Sequence, residues 1–189
     1  MTAEPAALPP PDASRAASGP NSVVRYAVVG LLLCAAAALF WPRGPATTEA
    51  PGGFVIDVQG RPLPLASRFA PVTVVHFWAT WCPPCIEEAP ALDRLTRDFA
   101  SPGRLAVVRI AVADSPDRVR KFLRGNDQDL LFDPNWDVAH RYGTRQLPET
   151  YVIVGGKVVQ KFEGVANWDA PELRARLAAW RDGTAQSAR

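Results

Sequence analysis

The chain has 189 residues, 48% of them hydrophobic, and a formal net charge of +2. That is room for one ordinary domain with appendages. The arginines are scattered, with no basic block or RNA-binding aromatic pattern, which excludes nucleic acid as an expected partner. Three cysteines exclude a multi-disulfide scaffold.

Residues 1–22 are rich in Pro, Ala and Ser and hold little to bury, so a disordered segment is expected there. Val23 to Trp41 is apolar apart from Arg25. Tyr26 to Trp41 is somewhat short of the ~20 residues a spanning helix usually needs. Val23 and Val24 extend it if Arg25 snorkels to the headgroups, and Tyr26 and Trp41 then sit at the two interfaces. A single-pass transmembrane anchor over 23–41 is expected. The alternative is a cleaved signal peptide, against which stand the long hydrophobic region and the lack of a small-x-small site after Trp41. Arg15 and Arg25 before the span and Arg43 after it give a slight positive-inside bias. Cys34 reads as a small hydrophobic residue, because Leu33 stands where a lipid attachment site wants a small one. Residues 42–53 carry Pro, Gly and Thr and read as a linker.

The domain is expected over 54–182. Phe54 to Val58 alternates as a strand and turns at Gln59-Gly60. Val72 to Trp78, a near-continuous β-branched and aromatic run, has the pattern of a central strand. Pro83 to Phe99 is a helix with Ala89, Leu92, Leu95 and Phe99 at core spacing. Leu105 to Val112 is a strand, and Pro116 to Arg124 a helix with Val119, Phe122 and Leu123 inward. Leu130 to Phe132 is a short strand, and Asn135 to Tyr142 a helix stopped by Gly143. Tyr151 to Val154 and Lys157 to Phe162 form a hairpin across Gly155-Gly156. Pro171 to Arg181 is a last amphipathic helix, followed by a flexible tail over 183–189.

The chemistry-bearing segment is Trp81-Cys82-Pro83-Pro84-Cys85, at the junction of the central strand and its helix. A thiol where a helix begins meets unpaired N–H groups and the positive end of the helix dipole, both of which favour its thiolate. Cys82 is therefore the expected exposed nucleophile and Cys85, one turn on, the resolving thiol. Pro83 suits a first helical turn, and the Pro-Pro dipeptide removes two donors near the Cys82 sulfur, which limits thiolate stabilisation. Structural zinc would need two further ligands, and neither His76, His140 nor any carboxylate shows ligand spacing, so no metal is expected. No cofactor beyond the cysteine pair is expected. With no second dithiol in the domain, electrons must be exchanged with a partner.

The segment Phe77-Trp78-Ala79-Thr80-Trp81-Cys82-Pro83-Pro84-Cys85 resembles the active site of the thioredoxin superfamily, in particular its membrane-anchored TlpA/ResA-like branch, which includes the cytochrome c maturation thioredoxins. Glu88, Pro90, Leu147-Pro148-Glu149-Thr150 and Asp57-Val58-Gln59-Gly60-Arg61-Pro62-Leu63 match that branch as well. The resemblance implies an α/β thioredoxin-like fold, with a central mixed sheet flanked by helices, an N-terminal β-hairpin and a central insertion over about Asp114 to Phe132. A copper-chaperone variant of that fold wants three residues between its cysteines, where this chain has two.

The resemblance also implies residue roles. Glu88, one turn beyond Cys85 on the same face, would line a cleft and tune the cysteines. Pro148 would be cis and leave the backbone of Leu147 free to pair with an extended substrate. Trp81 would shield or contact substrate, and Trp78 would pack. His76 stands where thioredoxin carries a buried acid, and is either a proton-transfer group or a buried structural histidine. His140 is expected to be structural. The implied function is a thiol–disulfide oxidoreductase at the bacterial cytoplasmic membrane, its C-terminal domain on the periplasmic side. It would reduce disulfide-containing proteins such as apocytochrome c with electrons from a transmembrane thiol donor. A disulfide-donating oxidase and a non-catalytic tethered binding module remain open as alternatives.

Overall fold

The computed structural model of the chain describes residues 21–40, 48–99, 103–123 and 130–184. The expected disordered segment up to residue 20, residues 41–47 of the anchor end and linker, and the tail from residue 185 lie outside them. Residues up to Arg43 and from Gly44 onward form two separate units.

In the first unit a helix, α1, spans Asn21–Phe40. Its described side chains, Val24 to Leu33, are all exposed. Among the described residues no helix is long and apolar enough to cross a membrane. The single-pass anchor expected over 23–41 is thus not supported among those residues, and its end at Trp41 lies outside them.

The second unit is built on one eight-stranded mixed sheet. Its strands are β1 (Thr48–Glu49), β2 (Phe54–Asp57), β3 (Pro62–Pro64), β4 (Val72–Trp78), β5 (Leu105–Val112), β6 (Leu130–Asp133), β7 (Glu149–Val154) and β8 (Lys157–Glu163). They lie in the order β1-β8-β7-β4-β5-β6-β2-β3. β4 pairs parallel with β5 and antiparallel with β7, and β5 pairs parallel with β6. Every residue of β4 is buried, as a strand covered on both faces requires.

Among the described residues four α-helices cover this sheet: α2 (Pro83–Asp98), α3 (Pro116–Leu123), α4 (Asp137–Arg141) and α5 (Pro171–Arg181). On one face Val72 and Val74 pack with Leu92 and Leu95 of α2 and Leu177 of α5. On the other, Val75 and Phe77 pack with Val138 of α4, Tyr142 and Tyr151. The N-terminal hairpin is β2–β3, its turn closed by Asp57 Oδ1, which accepts from the N–H groups of Gln59 and Arg61.

The structure corrects three local expectations. The linker read over 42–53 contains β1, which pairs with the edge of β8; a two-residue edge strand leaves no pattern in sequence. Phe122 of α3 is 39% exposed rather than inward, with its ring against Trp78. The helix expected from Asn135 begins only at Asp137, because Trp136 takes a left-handed φ of 63°. No side chain at Trp136 caps α4; instead Asp133 Oδ2, at the end of β6, accepts from the N–H groups of Val138 and Ala139 at 3.0 and 2.8 Å. Asp133 is buried, so its removal strands two donors in the interior. Asp133→Ala is expected to destabilise the domain by about 2–3 kcal/mol, read as a lower urea midpoint at unchanged slope; an unshifted midpoint would show that the cap contributes nothing.

Candidate active site

β4 ends at Trp78, the chain turns through Ala79–Trp81, and α2 starts with Cys82 as its N-cap. Cys82 and Cys85 are joined in a disulfide with their Cα atoms 5.3 Å apart. Pro83 and Pro84 occupy the first two helical positions and have no N–H to offer the Cys82 sulfur. The next two donors, the N–H groups of Cys85 and Ile86, both turn to the carbonyl of Cys82, at 3.1 and 3.3 Å. Few backbone donors are left for a thiolate here. Both cysteines are buried in this oxidised form, Cys82 at 5% exposure and Cys85 at 1%. The expected exposed thiol is therefore largely covered, though it remains the more accessible of the two. The cover comes from a cluster holding Trp78, Ala79, Val119 and Phe132, with Leu147 packed against it.

Leu147 belongs to the second wall of the site. The Leu147–Pro148 peptide is cis, and the carbonyl of Pro148 accepts from the N–H of Gly164 at 2.9 Å. The loop after β8 is thereby tied to the proline loop. Trp81 is 49% exposed beside the cysteines, yet its indole is fixed: Nε1 donates to the carbonyl of Ala113 at 3.1 Å. The preceding residue is held harder. The N–H and hydroxyl of Thr80 both donate to Asp114 Oδ2, at 2.7 and 2.6 Å. The Asp114 side chain is fully buried and its other oxygen accepts from Ser115 N–H and Arg118 Nη1. Ala113 takes a positive φ of 47° in presenting this loop.

Two buried titratable groups belong to the elements that carry the cysteines. Glu88 of α2, three residues after Cys85, is 2% exposed. Its Oε1 accepts from the N–H of Ala166 at 3.0 Å and from Trp168 Nε1, while Oε2 is buried without a partner. Burial pushes its pKa up, and the two hydrogen bonds pull the other way without cancelling it. His76 of β4 is 2% exposed and shares a small pocket with Cys85, Trp78 and Arg109. Its Nδ1 pairs with the Thr150 hydroxyl at 2.9 Å. Burial, aided by the Arg109 charge, lowers its pKa to about 3. Burial thus moves the carboxyl toward the thiol range and the imidazole away from it. His140 lies elsewhere, exposed and stacked on Trp136 at 5.7 Å.

The sequence model of the AhpC/TSA family matches residues 46–162. The chain belongs to the AhpC/TSA family. Within the family's reach, it is 25% identical over 155 residues to the thiol-disulfide oxidoreductase ResA of Bacillus thuringiensis subsp. konkukian, covering 76% of this chain and 89% of that one. It is 34% identical over 118 residues to the thiol:disulfide interchange protein DsbE homolog of Paracoccus denitrificans, covering 57% of this chain and 63% of that one. Among solved structures, a thioredoxin family thiol:disulfide interchange protein from Chlorobium tepidum superposes with a TM-score of 0.59 at 23% identity, over 72% of this chain and 99% of that one. A secreted disulfide oxidoreductase of Mycobacterium tuberculosis gives a TM-score of 0.56 at 26% identity, over 67% and 95%. This member of the AhpC/TSA family has a thioredoxin-like fold, and with its Cys82–Cys85 disulfide it is a thiol–disulfide oxidoreductase.

The structure gathers Cys82, Cys85, Glu88, His76, Trp81 and Leu147 around one end of β4 and α2. It also adds three residues that sequence reading left without a role. Trp168 and Asp114 each come from a loop distant in sequence, and no spacing rule points to them. Thr150 faces His76 across the β4–β7 ladder, a pairing set by the register of the two strands.

Asp114→Ala should leave the Thr80 donors unpaired, cost about 1–3 kcal/mol of stability, and slow reduction of protein disulfides more than of a small disulfide, because Trp81 loses its orientation. Equal slowing of both would rule out a part in orienting Trp81. His76 gives a pH signature. Its pKa is about 3 folded and about 6.5 unfolded, so between those values only the unfolded chain takes the proton and stability falls as pH falls. His76→Gln should remove that contribution, up to ~1.4 kcal/mol per pH unit, from the difference between urea midpoints at pH 7 and pH 5. Parallel curves for the two proteins would show that His76 does not titrate differently on folding.

Proposed function

We propose that the chain is a membrane-tethered thiol–disulfide reductase working on the extracytoplasmic side of a bacterial cytoplasmic membrane. Its substrates are disulfide-bearing proteins of that compartment, apocytochrome c among them. Its reductant is a transmembrane thiol donor, and it uses no cofactor other than its own cysteine pair. Support for the reaction comes from relatives named as thiol-disulfide oxidoreductases and interchange proteins. Support for the tether comes from the aliphatic side chains exposed along α1, such as Val28, Leu31 and Leu32.

The observation that carries the direction is the head of α2. Strong dithiol oxidants are strong because their reduced form is stabilised, and the usual stabilisers of a thiolate are backbone donors and nearby positive charge. Here two of the donors are absent as prolines and two more are turned to the Cys82 carbonyl. The reduced form therefore gains little, and the pair gives electrons readily.

In the reaction the Cys82 thiolate attacks a substrate disulfide aligned on Leu147, forming a mixed disulfide and releasing one substrate thiolate. Cys85 loses its proton to the Glu88 carboxylate and attacks the Cys82 sulfur. The Cys82–Cys85 disulfide forms, the second substrate thiolate leaves, and two electrons have passed to the substrate. Glu88 fits this role better than His76. A base with a pKa near 3 does not hold a proton taken from a thiol of pKa about 8.5, whereas a buried carboxyl is displaced toward the thiol.

The reduction potential tests the direction. It is expected nearer the thioredoxin value of about −270 mV than the strong-oxidant value of about −120 mV, measured by equilibrating the pair with glutathione. A value at the oxidising end would assign the chain to disulfide donation. In cells the pair should be trapped reduced while the donor is present and oxidised when the donor is deleted.

A further inference from the structure

We propose that Trp168 is a positioning residue for the thiol exchange, holding the Glu88 carboxylate at Cys85 so that it can take the resolving thiol's proton. The proposal rests on the reading of Glu88 as that acceptor.

Glu88 is a carboxylate in an apolar layer, and such a group needs donors to stay in place. Its own helix supplies none. Both donors come from the loop between β8 and α5: the Ala166 N–H at 3.0 Å and the indole N–H of Trp168. Both go to the same oxygen. Oε2 is left buried and unpartnered, free for a proton. Residues three apart on a helix are neighbours, with Cβ atoms about 5–6 Å apart. Glu88 and Cys85 stand in that relation and are both buried.

Trp168 itself has no freedom to wander. It is fully buried, in edge-to-face contact with Phe162, and packed with Leu92 and Leu177 between α2 and α5. A ring of that size placed by packing is a rigid mount for one hydrogen bond. The same loop starts at Gly164, whose N–H bonds the carbonyl of Pro148. One short segment, Gly164 to Trp168, therefore joins the proline loop at one end and the proton acceptor at the other.

The charges around Glu88 do not compete for this role. On its own helix Asp93 pairs with Arg109 and Arg94 with Asp169, while Glu87 is exposed. From the facing loop Asp169 is held by Arg94 and Arg174. From β8 Glu163 pairs with Lys161, and from the sheet beneath, His76 is held neutral by burial. The carboxyl is governed by burial and by its two N–H donors, and burial has the larger effect.

Stopped-flow oxidation of the reduced full-length protein by a dithionitrobenzoate disulfide tests the proposal. Cys82 releases the first thionitrobenzoate anion and Cys85 the second, so the second phase reports the resolving step. Trp168→Phe removes the donor and keeps an aromatic ring. A hydrogen bond to the ionised form lowers a carboxyl pKa, so its loss should move the midpoint of the second phase's pH profile up by about one pH unit, with the first phase unchanged. Leu177→Ala, in the same packed layer, loses stability but should leave the midpoint in place. Glu88→Gln should abolish that limb of the profile, and adding Trp168→Phe to it should change nothing more. An unmoved midpoint in Trp168→Phe, or an equal shift in Leu177→Ala, overturns the proposal while leaving Glu88 intact. Persistence of the limb in Glu88→Gln overturns the reading of Glu88 itself.

Discussion

The site depends on the register of β4. Its residues are buried on both faces and paired on both sides, so it cannot slide without exchanging its two sets of side chains. A slip of one residue would send Phe77 under α2 and press His76 into the aromatic layer of Tyr142 and Tyr151. Held as it is, the strand ends at Trp78 and the chain must leave the sheet there. That fixes where α2 begins, and with it the position of Cys82 and Cys85. The neighbouring strands contribute in the same register: Thr150 arrives opposite His76 from β7, and Arg109 from β5.

Placing the disulfide over this dry layer has a consequence for the proton. Cys85 is 1% exposed in the disulfide, so a protein group beside it is better placed than bulk water to take a proton there. Low dielectric acts against charge of either sign, raising carboxyls and lowering imidazoles. The same burial lowers the His76 pKa and raises that of Glu88, which suits Glu88 rather than His76 to the proposed role of proton acceptor. A buried carboxylate costs several kcal/mol in desolvation, and hydrogen bonds to a charged group return about 1.5–3 kcal/mol each. Two donors therefore lower the cost of the ionised form without erasing the upward shift, which leaves a group able both to take and to release a proton.

Strong local patterns made much of the fold legible. The limits of β4, β5 and α5 follow from runs rich in β-branched, aliphatic and aromatic residues and from a proline-started amphipathic helix. The cysteine pair was legible from its spacing, while the burial of Glu88 and the cis-proline loop were legible only through the resemblance of those segments to a known active site. What escaped were contacts made across the fold. Trp168 reaches Glu88 from 80 residues away, and Asp114 reaches Thr80 from 34. Neither lies in a periodic pattern that would set it apart from a core tryptophan or a loop aspartate. The start of α4 was misplaced for a similar reason: its capping carboxylate, Asp133, stands back on β6 rather than at the N-cap position where caps are sought.

The Ala113–Asp114 segment that follows β5 has a mechanical role in this arrangement. The turn that carries Thr80 and Trp81 makes few bonds to its own neighbours, and a mobile turn would let the nucleophile drift by the ångström that separates productive from idle geometry. Ala113 and Asp114 hold it with three hydrogen bonds from one side. Gly164 to Trp168 hold the proline loop and Glu88 from the other. The dithiol thus sits between two arms that belong to different parts of the chain and are fixed before substrate arrives. Because each arm ends on a buried group, Asp114 or Glu88, loosening either leaves an unpaired polar atom in the interior. The geometry of the site is in this way bound to the stability of the fold, while the half-exposed ring of Trp81 stays open to solvent.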